Sequence, residues 1–295
     1  MNKKNDFELS VGLPVFNGEK FLKKRLDSLL QQTFTNFEII ISDNGSNDST
    51  QQLCEEYVKK DIRIKYIRHK VNRGYIWNFN FVLNESKCKY FVWAAVDDIW
   101  KDSFLEKNIS QLKNDSNVIS SICKIKTIYQ NNNEKGNKSE GNKLYKKIRN
   151  NYLLIKKNSL ENKLKFFLKR NKGTNVYAVY RTKELKKILK NIPIIEWDLA
   201  ITLNSLNYGE IYEIDEVLMY KYLGGFSSGT FYEFVKKHDL GFLKIIFPEI
   251  PFLIWFKNTF GLKIFLKNLD WFSIIFIFSE YQILSGYLKT INNND

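Results

Sequence analysis

Acid groups at the ends of apolar runs are the most chemically loaded feature of this chain. Tyr90-Phe91-Val92-Trp93-Ala94-Ala95-Val96 is aromatic or small and apolar throughout, and it stops at two adjacent carboxylates, Asp97 and Asp98. Such a run is too short for a typical buried helix and suits a buried strand of a parallel sheet. The carboxyl ends of those strands are where open α/β sheets bind ligands. Paired aspartates there suit a hard divalent cation, which takes oxygen ligands and shares them with substrate phosphates. Asp43 closes a second apolar run, Phe37–Ser42, where it could accept from a base or ribose donor. Glu196-Trp197-Asp198 adds two carboxylates beside a helical stretch. Plainer readings compete: a solvated Asp-Asp turn, and Asp198 as an N-cap for Leu199-Ala200-Ile201.

Other chemistries find less support. His69 and His238 are the only histidines, too few for a histidine-based zinc site, and a serine triad has little to build on. Cys54, Cys88 and Cys123 show neither ligand spacing nor an even framework, which points to a reducing compartment. The polar segment Met1-Asn2-Lys3-Lys4-Asn5-Asp6 has no apolar signal core, so secretion is not expected.

The elements that must position these acids alternate between strand and helix. Leu9–Phe16 reads as a first strand closed by Asn17-Gly18, and Phe21, Leu22, Leu26, Leu29 and Leu30 mark an amphipathic helix. Phe37–Ser42 is a second strand, followed by a polar loop and a helix over Gln51–Lys60. Ile64–Arg68 is a third strand, and Tyr75–Asn84 is helical before the Tyr90 strand begins. Four alternations predict a parallel α/β sheet with right-handed crossovers. The loops after Phe16, Ser42, Arg68 and Val96 then gather at one rim. Downstream come a helix at Phe104–Leu112, a strand at Val118–Tyr129, and a polar tract, Gln130–Lys143, read as an exposed loop. A basic helix at Leu160–Arg170, a strand at Val176–Arg181 and two short strands, Ile211–Ile214 and Val217–Tyr222, follow. Gly224–Gly229 reads as a mobile loop.

The 295 residues, 44% hydrophobic and 26% charged, suit an ordinary globular protein with a large core. The formal charge of +14 is concentrated, because residues 101–190 hold 23 Lys/Arg against 7 Asp/Glu and the remainder is slightly acidic. A basic middle can face the phosphates of nucleic acid, of a nucleotide or of an anionic membrane. No nucleic-acid motif accompanies it and the aromatics crowd elsewhere, so nucleic acid is not an expected partner. From Phe231 onward the composition turns aromatic, with Trp255, Phe256, Phe260, Phe265 and Trp271 interleaved with Lys257, Lys263 and Lys267. No run approaches the roughly 20 apolar residues that span a bilayer. Two readings of residues 230–295 stand side by side. One is helices at a membrane interface; the other is an appendage packed on the catalytic domain or on a second subunit.

Taken in order, these segments resemble glycosyltransferase family 2, enzymes of the GT-A fold. The resemblance rests on Val11–Gly18, Ser28–Thr33, Phe37–Asp48 with Thr50, Asn72-Arg73-Gly74 with Asn78 and Asn80, and Asp97–Trp100. Glu196-Trp197-Asp198 and Tyr222 with Gly224–Ser227 complete it, so it covers about residues 8–228. It implies an α/β, Rossmann-like, mostly parallel sheet flanked by helices. A catalytic domain would span 1–229, its nucleotide-binding part about 8–100 and its acceptor part about 101–229, with a helical aromatic-rich extension at 230–295.

The resemblance also implies roles, residue by residue. Pro14, Phe16 and Glu19 match the first nucleotide-pocket segment. Asp43 matches the acid that contacts the base, usually uracil, with Asn44 and Ser46 in the same loop. Asn72 and Gly74 match a loop beside the nucleotide, and Asp97 matches the acid near ribose and donor sugar. Asp98 matches the ligand of a Mn²⁺ or Mg²⁺ ion that bridges the diphosphate. Asp198 looks like the general base, with Glu196 as the nearby alternative, and Gly224–Ser228 looks like a closing loop. Two departures stand out: Val96 replaces an additional acid, and the closing segment lacks the histidine often found there.

The implied activity is inverting, metal-dependent transfer from a nucleotide-diphospho-sugar, with UDP the expected carrier. The implied acceptor is a glycan or lipid-linked saccharide of bacterial cell-surface polysaccharide or lipopolysaccharide. The expected location is cytoplasmic, with a peripheral position on the inner face of the membrane, and a homo-oligomer is compatible with the aromatic extension. A non-catalytic nucleotide-sugar or glycan-binding partner of the same fold is the alternative. Asp98→Asn distinguishes them, since only an enzyme has turnover to lose.

Overall fold

A computed structural model describes residues 6–129, 158–170, 173–193, 196–223 and 249–274, together with 277 and 281. The polar tract at 130–143, the predicted closing loop at 224–229 and His238 lie outside the described residues.

The strand–helix alternation of the first hundred residues is present. Strands β1 (Leu9–Val15), β2 (Phe37–Asp43), β3 (Ile64–Arg68) and β4 (Tyr90–Trp93) alternate with helices α1 (Glu19–Leu30), α2 (Thr50–Lys60) and α3 (Tyr75–Glu85). Then follow β5 (Ile99–Trp100), α4 (Phe104–Asn114), β6 (Val118–Tyr129), α5 (Leu160–Arg170) and β7 (Val179–Arg181). Helices α6 (Thr182–Ile188) and α7 (Trp197–Ser205) lead to β8 (Glu210–Leu223), and α8 (Ile250–Phe260) and α9 (Leu262–Leu266) lie beyond.

The eight strands form one sheet in the order β3-β2-β1-β4-β7-β6-β8-β5. β1 pairs in parallel with β2 and β4, β2 with β3, and β6 with β8. Only β7 and β5 run the other way. Strands buried on both faces explain the near-continuous apolar runs of β1, β2 and β4. One core cluster joins Leu22, Leu26 and Leu29 of α1 to the sheet, and a second packs Trp93, Tyr180 and Trp197 on the opposite face.

Three local expectations change. The Tyr90 run leaves the sheet after Trp93, apart from one bond from the Ala94 N–H to the Gly12 carbonyl (2.8 Å). Asp97 and Asp98 therefore sit in a turn between β4 and β5 rather than at a strand tip. Residues predicted to form one strand at Val176–Arg181 divide into a 3₁₀ turn, Gly173–Tyr177, and the short β7. Turn bonding overrides the β-branched pattern, since the Ala178 N–H and the Tyr180 hydroxyl both donate to the Asn175 carbonyl. The two predicted strands Ile211–Ile214 and Val217–Tyr222 are one strand, β8, whose register jumps at Asp215-Glu216.

The aromatic extension turns its rings inward. Phe252, Trp255, Phe256, Phe260 and Phe272 pack with Leu164, Phe167 and Leu168 of α5 and with Leu199, Ala200 and Leu203 of α7. Ile250, Ile254, Leu262, Leu266, Leu269 and Ile274 are exposed. Among the described residues no helix is long and apolar enough to cross a membrane.

Candidate active site

Topology decides which loops meet. Because β1 to β4 all point one way, the segments after each end at one rim of the sheet. β7 is reversed, so the 3₁₀ turn that precedes it is delivered to the same rim. β8 shares the direction of β4 through β7 and β6, so its last residues arrive there too. Helix α7, which leads back to the start of β8, presents its N-terminus at that rim. Asp98, Tyr177, Asp198 and Lys221 thus converge from four stretches far apart in sequence.

The loops after β1 and β2 are latched together. The Asn17 N–H donates to Ser46 Oγ (2.8 Å), and the Asn47 N–H donates to Asn17 Oδ1 (2.9 Å). Glu19 is exposed, and its carboxylate accepts from the Ser49 N–H at the start of α2 (3.0 Å). Pro14 is buried in β1 and Phe16 is half-buried beyond its end. Asp43 is 0% exposed, and its carboxylate accepts from the Ser46 N–H and the Tyr66 hydroxyl, each at 2.8 Å. Arg68 adds an ion pair at 3.6 Å. Asp43 therefore braces the loop that presents Asn44 and Ser46.

Asn44 clamps the next loop. Its amide donates to Asn72 Oδ1 (2.9 Å) and the Gly74 carbonyl (3.1 Å), and its oxygen accepts from the Arg73 N–H (3.0 Å). Gly45 has φ +79° and faces Val71 and Asn72, so a side chain there would be both strained and crowded. His69 hydrogen-bonds Ser42 Oγ (2.9 Å) and packs edge-on against Trp77 and Phe81, a structural setting. Trp93 and Trp100 are buried and serve packing. Replacing Asn44 by alanine removes three hydrogen bonds between the loops and leaves the Arg73 N–H without this partner, while Asn72 Oδ1 and the Gly74 carbonyl keep the Gly74 and Asn78 N–H groups. We expect a stability loss of about 1–3 kcal/mol in a denaturant titration, and no measurable loss would contradict the clamp.

The centre of the site is a set of carboxylates around one phenol. Asp98 is 1% exposed and neither carboxylate oxygen has a hydrogen-bond partner among the described residues. Burial, then the neighbouring Asp97 charge, pushes its pKa up to about 7 against the pull of Arg25, Lys221 and the Tyr222 N–H, which is near the carboxylate without completing a hydrogen bond. Asp97 itself is half-buried. Burial, and after it the charges of Asp98, Asp198 and Asp97 in that order, raises the Tyr177 phenol far above the usual range. Lys221 Nζ lies 5.6 Å from the centre of the Tyr177 ring.

Asp198 stands in the first turn of α7, while Glu196 occupies the cap position with φ 55° and makes no side-chain cap bond. A left-handed glutamate is uncommon and costs energy that the surroundings must cover. Asp198 is reached by solvent yet has protein around it, as on the wall of a cleft. That enclosure raises its pKa, opposed by the first-turn N–H groups and Lys221. Glu196 is pushed up to about 8 by burial, then by Glu249 and Asp198. Burial raises the Tyr75 phenol, and the charges of Asp198 and Glu196 add to it.

Raised carboxyl pKa values have a defined sign for stability. The folded protein favours the protonated forms of Asp98 and Glu196, so their contribution is full below the ordinary carboxylate value of about 4. It is lost as pH rises through about 7 for Asp98 and about 8 for Glu196. Without added metal the melting temperature should therefore fall between pH 5 and pH 8.5, and a flat profile would contradict these environments.

Four site residues escaped sequence reasoning. Gly173 backs onto Asp198 so closely that an added Cβ would sit 2.2 Å from Oδ2. Gly173→Ala should displace that carboxylate and cut turnover while nucleotide affinity holds; unchanged turnover would show that Asp198 placement is not critical. Arg25 is 0% exposed, none of its guanidinium nitrogens is partnered among the described residues, and it stacks on Trp100 at 4.0 Å. Its signal was legible, because an arginine stood on the apolar face formed by Leu22, Leu26 and Leu29. Tyr177 and Lys221 carried no such signal, since only tertiary pairing brings them to the rim.

A cavity of about 990 Å³ lies elsewhere, between α6, the end of α7 and α8, lined by Lys187, Lys190, Asn204, Ile254 and Trp255 among others. None of the carboxylates above borders it.

A family model described as Glycosyl transferase family 2 matches residues 10–184, more than half of the chain. An uncharacterized glycosyltransferase of Haemophilus influenzae is 36% identical over 110 residues, which are 37% of this chain and 34% of that protein. Glycosyltransferase GlyA of Streptococcus pneumoniae is 35% identical over 101 residues, 34% of this chain and 14% of that protein. The chain thus spans about a third or less of these relatives. Among solved structures, the mannosyltransferase PcManGT of Pyrobaculum calidifontis with GDP-Man and Mn²⁺ aligns with TM-score 0.60 at 12% identity, covering 97% of this chain and 75% of that one. S. aureus TarS 1-349 with UDP-GlcNAc aligns with TM-score 0.55 at 19% identity, covering 81% and 67%. At these identities the likeness concerns the fold.

Proposed function

This chain belongs to glycosyl transferase family 2, and from that premise we propose that it moves a sugar from a nucleotide-diphospho-sugar to an acceptor hydroxyl with inversion at the anomeric carbon. The observation that carries the reading is that the segment after β4 with Asp98, the 3₁₀ turn before β7 with Tyr177, and the N-terminus of α7 with Asp198 meet at one rim of the sheet. One end of such a site can hold a diphosphate and the other can take a proton. TarS and PcManGT were solved with UDP-GlcNAc and GDP-Man, which supports a nucleotide-diphospho-sugar donor.

The nucleoside lies against the loops held by Asp43, Asn44, Ser46, Asn72 and Gly74, with Pro14, Phe16 and Glu19 on the neighbouring segment. Uracil is our reading of the base. Asp97 faces ribose and donor sugar. Asp98 fits a divalent cation, Mn²⁺ or Mg²⁺, because its two oxygens are buried without partners, a costly state that an ion would relieve. Among the described residues no group of three His, Cys, Asp or Glu side chains is placed to hold a metal ion, so the remaining ligands would be phosphate oxygens and water. When bound, the ion supplies Lewis acidity to the leaving diphosphate.

The steps that fall to the chain are positioning and proton transfer. Asp198 accepts the acceptor hydroxyl proton, and the acceptor oxygen forms the new bond to the anomeric carbon. The old bond to the diphosphate oxygen breaks and its electron pair leaves with the nucleoside diphosphate. One base and no covalent nucleophile give a single displacement, as in inverting glycoside chemistry. Glu196, whose pKa burial pushes up to about 8, is the alternative acceptor in its deprotonated form.

We read the acceptor as a glycan or lipid-linked saccharide of the bacterial cell surface, reached at the inner face of the cytoplasmic membrane. The exposed Ile250, Ile254, Leu262 and Leu266, with Lys257 and Lys263 nearby, suit shallow contact with anionic lipid. The functional test is nucleoside diphosphate release from a panel of UDP- and GDP-sugars with Mn²⁺ and lipid-linked acceptors. Release from at least one donor, dependent on acceptor, is expected; none across the panel from folded protein would sink the reading.

A further inference from the structure

We propose that Lys221 is the chain's own cation for the donor diphosphate, acting beside Asp98 at the mouth of the site; the role rests on the nucleotide-sugar reading above.

Strand register places it. β5 and β8 are antiparallel, with Ile99 opposite Tyr220 and Trp100 opposite Met219. One step further along the same ladder brings Asp98 alongside Lys221. The side chain then reaches over the Tyr177 ring, 5.6 Å from its centre, and Tyr177 is the group on which the Asp98 and Asp198 charges converge. Lys221 is half-buried, its backbone held in β8 and its ammonium over the Tyr177 ring.

Its neighbours are held in ion pairs or hydrogen bonds, whereas Lys221 meets only the Tyr177 ring and the field of Asp98 and Asp198 among the described residues. On β8 and the loop within it, Asp215 and Glu216 pair with Lys124 and Lys107, whereas Lys221 forms no ion pair among the described residues. Lys24 is tied to the Tyr222 hydroxyl (3.3 Å), and Arg68 donates to the Ser46 carbonyl (2.9 Å). Arg25 is sealed from solvent and cannot reach a substrate without moving. Arg73, in the loop after β3, lies over the Trp77 ring, on the nucleoside side of the rim, whereas Lys221 stands at the Asp98 end.

Charge balance supplies the reason for it. Asp97 and Asp98 together offset one divalent ion, so a diphosphate entering beside them still needs positive charge. Val96 contributes no further acid to strengthen metal binding. An ammonium at the Asp98 end meets that need, donating hydrogen bonds to phosphate oxygens before transfer and to the freed diphosphate after it. It transfers no proton.

The test compares binding of UDP and GDP with binding of uridine and guanosine by calorimetry, in EDTA, for wild type, Lys221→Met and Lys221→Arg. Lys221→Met should weaken the diphosphates about thirtyfold, equivalent to about 2 kcal/mol, and leave the nucleosides unchanged. Lys221→Arg should retain most of the affinity, which a merely structural lysine would not require. Diphosphate affinity in Lys221→Met within about twofold of wild type, well under one decade, would overturn the Lys221 role alone. Equal losses for nucleoside and diphosphate would also overturn it, as damage to the fold. Wild type that binds neither diphosphate would remove the nucleotide-sugar reading and this role with it.

Discussion

Asp198→Asn should lower kcat about 100- to 10,000-fold, the range that a positioned general base contributes, with nucleoside diphosphate affinity preserved. The amide keeps the shape and the neutral fit of the α7 first turn but cannot take a proton. Nothing in the core is removed, because Asp198 stands on the wall of the site and Trp197 and Leu199 carry the packing. Glu196→Gln separates the two candidates. With Asp198 as base it should reduce kcat much less, and the Asp198 limb of the pH–rate profile should remain. That limb should lie above the ordinary carboxylate range, because enclosure raises Asp198, and activity should rise with pH as the base form accumulates. If Glu196→Gln abolished turnover and Asp198→Asn spared it, the base assignment would pass to Glu196.

Asp98→Asn should cost at least about a hundredfold in turnover, since a bound ion is worth several kcal/mol of charge stabilisation at 1.36 kcal/mol per decade. Mn²⁺ binding followed by electron paramagnetic resonance should weaken in parallel. The same substitution should stabilise the metal-free protein near pH 8. The wild-type carboxylate there is buried without a hydrogen-bond partner among the described residues and repelled by Asp97, while the amide carries no charge to desolvate. A gain in melting temperature together with a loss of turnover is the mark of a group kept for function at the expense of stability. Unchanged metal binding would remove the ion from Asp98, and a lower melting temperature would show that Asp98 is structural.

The nucleotide half of the fold was legible because β1 to β4 and α1 to α3 follow simple periodicities and short connections. Asp43, Asn44 and Asn72 were visible as loop residues at strand ends, although their mutual clamping was not. The acceptor half was harder. A strand of three residues, β7, carries too little pattern to be separated from the turn before it, and that turn holds Gly173 and Tyr177. The Lys221 position depends on β5, a two-residue strand whose partner lies over a hundred residues away. Asp198 looked like a helix cap by type and spacing, and only the left-handed Glu196 shows which residue holds that place. Composition marked the aromatic extension, but only packing divides its faces: rings on α5 and α7, aliphatic side chains outward.

The most direct measurement is a crystal structure of the protein with a nucleoside diphosphate and Mn²⁺. The diphosphate should lie between Asp98 and Lys221 with the base against the Asp43–Ser46 loop, leaving Asp198 facing the vacated sugar position. A nucleotide seated instead in the cavity between α6 and α8, or a diphosphate remote from Asp98, would contradict the assignment of this rim as the site of transfer.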